Sequence, residues 1–251
     1  MMTFKEYFIL LLLCHVVGDF YIQTKKMSEN KDKNIKWVLI HCLYYWLTML
    51  VIVLPIMSYQ IAMGAIIASV FHMMIDIVKY YYLSKKAKNN QLTLKLKRNI
   101  FFTDQILHLL CLMIIAYHFV SKNLIIRECK TFENFFSIIG LSQYLVLSWI
   151  LALLIIHKPA NIAIQKLLII YKPETKEEKN KKNTGRFIGT VERIIMLILL
   201  SVGQYSAIGL VLTAKSIARY DKISKEKDFA EYYLLGTLIS TVIVIIISLF
   251  L

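Results

Sequence analysis

His15 and Asp19 stand four residues apart in the segment HVVGD, with Gln23 four residues further on. His72 and Asp76 repeat that spacing in HMMID, Asp104 and His108 reverse it in DQILH, and His41 stands alone between them. On an α-helix, residues i and i+4 project from one face, so each pair presents an imidazole and a carboxylate together. That is the usual ligand set for zinc and other divalent first-row metals. Each of these groups lies in a strongly apolar stretch. An ionisable side chain inside a membrane span costs ~2.5–3.5 kcal/mol on insertion scales, which makes it a functional candidate by default. Interhelical hydrogen bonding, worth ~0.6 kcal/mol per contact, accounts for one such residue but poorly for four His and three Asp.

The elements that carry these residues follow from composition. The chain has 251 residues, of which 58% are hydrophobic, with a net charge of +14. A soluble domain has ~45–50% apolar residues, so this excess excludes a soluble globular enzyme, a disordered protein and a disulfide scaffold. The sequence predicts an all-α, polytopic membrane protein, a bundle of about seven transmembrane helices over 4–23, 36–57, 60–83, 99–120, 134–157, 187–214 and 230–251, each near the ~20 residues a crossing needs. The first run lacks a basic leader and a small-residue cleavage site, so it is expected to remain as a span. By side, 21 of the 30 Lys and Arg residues fall in 24–36, 79–98 and 158–193. Basic loops stay in the cytoplasm, which predicts an N-terminus outside and a C-terminus inside. With ~1.5 Å rise per residue, all seven His and Asp groups then share one layer, a few turns inside the cytoplasmic boundary. Four spans have no reason to share that depth unless the residues meet.

Other features read as structural. Two domains are expected, 1–120 with the His/Asp site and 121–251 with a basic cytoplasmic segment at 158–186. The stretch 159–171 patterns as an interfacial amphipathic helix. Cys14, Cys42, Cys111 and Cys129 form no CxxC pair, so neither a disulfide framework nor a zinc knuckle is indicated. His118 and His157 sit at span ends and suit interfacial positions. Gly185 and Gly189, and Gly236 with Ser240, suggest close helix packing. Glu192 suits an interhelical ion pair, Gly203, Gln204 and Gly209 would loosen the middle of the sixth span, and Lys215 and Arg219 share a face. The basic loops suit anionic lipid headgroups rather than nucleic acid.

HVVGDFYIQ followed by MSENK, then His41, HMMID and FFTDQILH, resembles the bacterial membrane-protein family named domain of unknown function 3307. The resemblance covers roughly 5–115, and the later stretches GRFIGTVER, GQYSAIGLVLTAKSIAR and EYYLLGTLIS resemble the C-terminal half of longer members. It implies a multi-span protein of the bacterial inner membrane whose distinctive positions are His15, Asp19, Gln23, His41, His72, Asp76, Asp104, Gln105 and His108. It implies no activity, substrate or metal.

The chemistry these residues favour is metal-dependent hydrolysis of a lipidic or lipid-linked substrate. His15, His41, His72, Asp76 and His108 are the expected ligands of one or two divalent ions, zinc first. Asp19 and Asp104 are the expected base or further ligands, and Gln23 and Gln105 the hydrogen-bond donors to substrate or ligands. Two other functions use the same residues: a metal-ion or proton transporter or channel, and a regulatory or scaffold protein with a structural metal site. A homo-oligomer is compatible with all three.

Overall fold

A computed structural model describes residues 3–56, 58–122, 130–172 and 182–251. The described residues are almost entirely helical and contain no strand. Contacts divide the chain into two compact units, Met1–Leu151 and Ala152–Leu251. The 120/121 division expected from the sequence lies within the first of them.

In unit 1 the chain runs through α1 (Phe4–Val16), a π-helical segment (Val17–Ile22), α2 (Lys25–Asn30), α3 (Ile35–Val53), α4 (Tyr59–Lys88), α5 (Leu94–Ser121), α6 (Lys130–Ile139) and the start of α7 (Gln143–His157), whose residues from Ala152 onward belong to unit 2. The starts are set by side chains that satisfy orphan amides. The hydroxyl oxygens of Thr3, Thr24, Ser58 and Thr93 accept from the backbone of Glu6, Met27, Ile61 and Leu96, the ordinary N-cap arrangement. Helices α3, α4 and α5 pack in succession, and α1 lies against α3 and α5, which closes a four-helix arrangement.

One buried stripe on each long helix serves both core and site. On α4 it runs Ile61, Ala65, Ala68, His72, Asp76; on α5, Asp104, His108, Leu112, Ile115, Phe119; on α3, His41, Tyr45, Met49, Val53. The apolar end of these stripes, with Tyr7, Leu10 and Leu11 of α1, forms a dense core. Small residues let the backbones approach, as membrane helix packing requires. At Gly64 a Cβ would run into the phenol oxygen of Tyr7. The outer faces are apolar too, with Leu43, Leu47, Val70, Met74, Leu110 and Ile114 exposed. Helices apolar on both faces suit a lipid surround.

Among the described residues, five helices are long and apolar enough to cross a membrane: Ile35–Ile56, Tyr59–Lys88, Leu94–Ser121, Gln143–Ile170 and Lys227–Ser248. Their length and apolar composition are consistent with a membrane protein. Two expected runs are each broken at a glycine with positive φ. The run 134–157 breaks at Gly140, whose φ of +68° is a left-handed conformation that ends α6 and that glycine adopts without a Cβ clash. Beyond it, α7 passes through Lys158 into α8 (Pro159–Leu167), with Pro159 at the first helical position, so the expected amphipathic stretch continues α7. The run 187–214 breaks likewise at Gly203, φ +72°, where the amides of Gly203 and Gln204 close back on the carbonyls of Leu200 and Leu199.

Unit 2 holds α8, α9 (Lys182–Ser201), α10 (Tyr205–Ile217), α11 (Tyr220–Lys225) and α12 (Lys227–Ser248), with α12 packed on α8 and α9. Arg193, 2% exposed, ties it together. Its guanidinium donates to the Ile156 carbonyl in the last turn of α7, to Asn161 Oδ1 at 2.8 Å, and to the Thr190 and Ser240 hydroxyls. A cation suits the negative end of a helix. Gly189 leaves the room this arginine needs and Gly236 lies against Leu168, whereas Gly185 faces open space. Most of the expected polar segment 172–185, with Cys129 and the 123–129 stretch, lies outside the described residues.

Candidate metal centre

Each functional side chain reaches the site from a position its helix dictates. His15 comes from the last turn of α1 and Asp19 from the π-helical segment. Such i→i+5 turns are rare, usually single turns within α-helices, and are frequent at functional sites. Here Gly18 permits the wide turn to lie against the Tyr45 ring: a Cβ would stand 2.8 Å from a ring carbon. His41 is on α3, His72 and Asp76 on α4, Asp104, Gln105 and His108 on α5.

The seven predicted His and Asp residues are all buried. His41 Nε2 lies 3.2 Å from Asp19 Oδ1, 3.4 Å from Asp76 Oδ2 and 3.2 Å from His72 Nε2. His72 Nε2 is 3.7 Å from Asp76 Oδ2. His108 Nε2 is 3.5 Å from Asp104 Oδ1 and 4.0 Å from Asp76 Oδ1. Two sets bring their ligand atoms within 4.8 Å of one another, Asp19 with His41 and His72, and His72 with Asp76 and His108. His72 belongs to both. His15 belongs to neither: its Nδ1 faces the Tyr45 hydroxyl at 3.2 Å, and its ring lies 5.1 Å from that of His108.

Gln105 Nε2 donates to Asp19 Oδ2 at 2.9 Å and to Asp104 Oδ2 at 3.4 Å, so it bridges two carboxylates. Gln23 ends the π segment and accepts from Lys31 Nζ at 3.4 Å, facing a lysine rather than a histidine.

Three participants escaped the sequence reading. Tyr45 lies parallel to His72 with ring centroids 3.7 Å apart. Lys79 Nζ donates to Asp104 Oδ2 at 2.7 Å and stands 3.8 Å from Asp76 Oδ1. Lys31 Nζ stands 3.6 Å from Asp76 Oδ2 and 3.8 Å from Asp19 Oδ1. Both lysines fall in the basic segments 24–36 and 79–98, whose composition reads as loops on the cytoplasmic side. Lys31 falls within MSENK and Lys79 is one helical turn past Asp76, the signals that could have found them.

The donor set fits a divalent cation. Asp19 Oδ1, both oxygens of Asp76, Asp104 Oδ1 and His108 Nε2 are buried and make no hydrogen bond with the described residues. Buried polar atoms are normally satisfied, and carboxylate oxygens facing imidazole nitrogens at these separations are what an ion of zinc type gathers. Elsewhere, Glu192 pairs with Lys215 at 2.6 Å, the interhelical ion pair expected of it, within unit 2. Cys14, Cys42 and Cys111 are free thiols, and His118 is exposed.

No curated protein and no solved structure matches the chain. The sequence pattern of one family matches residues 7–135, a stretch that begins in α1, ends in α6 and contains every His, Asp and Gln of the cluster. The chain belongs to the family described as Protein of unknown function (DUF3307).

Proposed function

We propose that the cluster is the catalytic centre of a membrane-embedded, metal-dependent hydrolase acting on a lipidic or lipid-linked substrate near the cytoplasmic leaflet of a bacterial inner membrane. The observation that carries this reading is the convergence of four His and three Asp from α1, its π segment, α3, α4 and α5, with carboxylate oxygens left free of hydrogen bonds. The His and Asp side chains of the two sets would hold a divalent ion, zinc first, which would supply an acidified water, its pKa brought towards ~7, and a Lewis acid for the scissile group.

The chain's own residues supply the rest. Because both ligand sets draw on His72, one ion per chain is the natural loading, with Asp76 and His108 or Asp19 and His41 completing it. Asp104 Oδ2 is held by Lys79 and Gln105 while its Oδ1 stays free, so Oδ1 is placed to take a proton from water. Gln105 fixes Asp19 and Asp104 relative to each other, and Tyr45 sets the His72 ring plane. In this scheme α1 with its π segment, α3, α4 and α5 cross the membrane in turn around the site, with the N-terminus outside, whereas α10 folds back along α9 through the Glu192–Lys215 pair.

A carrier would use the same groups as a relay, but it needs a path through the bundle. Beyond the cluster, Tyr7, Leu11, Met49, Ile61 and Ala116 are each at most 1% exposed and packed together. A closely packed, largely apolar layer on one side of the site favours chemistry at one face over transfer across.

The test is to incubate wild type and Asp104→Asn with total bacterial lipids in detergent and to compare products by mass spectrometry. The expected result is a metal-dependent product that Asp104→Asn loses by ~100-fold or more, the scale of a general base. Metal flux in sealed vesicles with no change in any lipid would overturn the assignment.

A further inference from the structure

The two lysines point to the substrate. Their side chains are 11% and 15% exposed, against 2–6% for the three Asp side chains they contact, so they form the accessible edge of an otherwise closed site. They come from independent elements: Lys31 caps the C-terminus of α2, and Lys79 lies on α4 one turn past Asp76. Met27, 4% exposed, anchors α2 and thereby holds Lys31 over the cluster.

Charge then selects the ligand. With neutral imidazoles, three carboxylates and two ammonium groups leave one negative charge in excess, and a bound divalent ion turns it into one positive charge in excess. In a low-dielectric site an uncompensated charge is costly. A neutral amide or carboxylic ester would leave that positive charge standing. A phosphodiester carries a single negative charge and closes the balance, and lysine is a common point-charge partner for phosphate oxygens.

We infer that the substrate is a phosphate ester, a monoanionic phosphodiester, whose non-bridging oxygens are bound by Lys31 and Lys79 beside the metal. The inference rests on the hydrolase assignment above. Water oxygen forms the new bond to phosphorus as the bond to the leaving oxygen breaks. One water proton passes to Asp104 Oδ1 and on to the leaving alkoxide; the other stays on the phosphate monoester. Water is the sole co-reactant. Lys31 and Lys79 are positioning residues that lose their contacts with Asp76 and Asp19 as the phosphate takes them over.

The experiment uses the full chain in detergent, loaded with zinc, and reads two quantities. The first is the melting shift produced by inorganic phosphate; the second is turnover of phosphatidylglycerol micelles and of bis(4-nitrophenyl) phosphate, with diacylglycerol as a neutral ester. Phosphate is expected to stabilise wild type. Lys31→Met is expected to keep its zinc, lose the phosphate shift and raise KM for the diester about tenfold or more, as loss of a charge-assisted contact should; Lys31→Arg is expected to restore part of both. Turnover of the lipid but not the soluble diester identifies a headgroup phosphate, and turnover of both a smaller ester. Zinc-loaded wild type that ignores phosphate, or cleaves diacylglycerol alone, overturns the inference and leaves a hydrolase. Phosphate binding lost in Lys31→Met, with no turnover of any substrate, upholds the anion site and overturns the hydrolase.

Discussion

His72 is the residue on which the metal centre turns, because both candidate ligand sets include it and Tyr45 fixes its ring. His72→Ala is expected to leave less than about a tenth of the wild-type zinc per chain while inserting normally, since loss of one of so few ligands removes several kcal/mol of affinity. His15→Ala, whose ring belongs to neither set, is expected to keep its zinc. Elemental analysis of the purified variants checks both, and His41→Ala beside His108→Ala tells which set holds the ion. The i,i+4 spacing made the His/Asp pairs legible in the sequence, and their common depth made the convergence legible. Lys31 and Lys79 were not, because a lysine bordering an apolar run has the same appearance whether it faces headgroups or turns inward to a carboxylate. Tyr45, four residues past His41, was hidden by its own type: an aromatic residue in an apolar helix is ordinarily core.

Elements position those residues through two glycines with different consequences. At Gly64 a Cβ meets the phenol of Tyr7, a fully buried ring packed edge-on against Phe119. Gly64→Ala is therefore expected to cost ~1–3 kcal/mol, the usual scale of overpacking, and to lower the melting temperature with zinc content unchanged. At Gly18 a Cβ meets the ring of Tyr45, which touches both His15 and His72. Gly18→Ala is expected to weaken zinc binding by about tenfold or more, in the range seen when partners that orient metal ligands are lost, with a smaller change in melting. Titration of apo-protein with zinc and thermal melts, run on both variants, separate the two roles; equal zinc affinity in Gly18→Ala and wild type would remove Tyr45 from the site. Helix identity was legible from hydropathy, but helix ends were not. Gly140 and Gly203 end helices because each adopts a left-handed φ, and nothing in an apolar run announces which glycine will do so. Gly209, singled out alongside Gly203, continues α10.

At the scale of the whole molecule, the orientation of the cluster decides which substrates it can meet. Lys79 and Arg98 flank the α4–α5 turn, where Asn90 takes a φ of 54°, and Lys85, Lys86 and Lys88 stand in the last turns of α4. That turn carries seven of the chain's basic residues between 79 and 98, and the cluster lies on the same end of α4 and α5, next to Lys79. Basic residues within ~15–20 residues of a span are held in the cytoplasm, so turn and cluster should face it together. A cytoplasmic reporter fused after Asn90 is expected to be active and an exported one inactive, with the opposite pattern after Lys122 at the far end of α5. The two fusion points are joined by a single helix long and apolar enough to cross a membrane, so they must report opposite sides. Equal readings at both points would mean that α5 does not cross, and would remove the four-helix site from the membrane altogether. An inverted pair would keep the site in the membrane and move it to the outer leaflet, where the same lysines and metal ligands would face the phosphate esters of that surface instead.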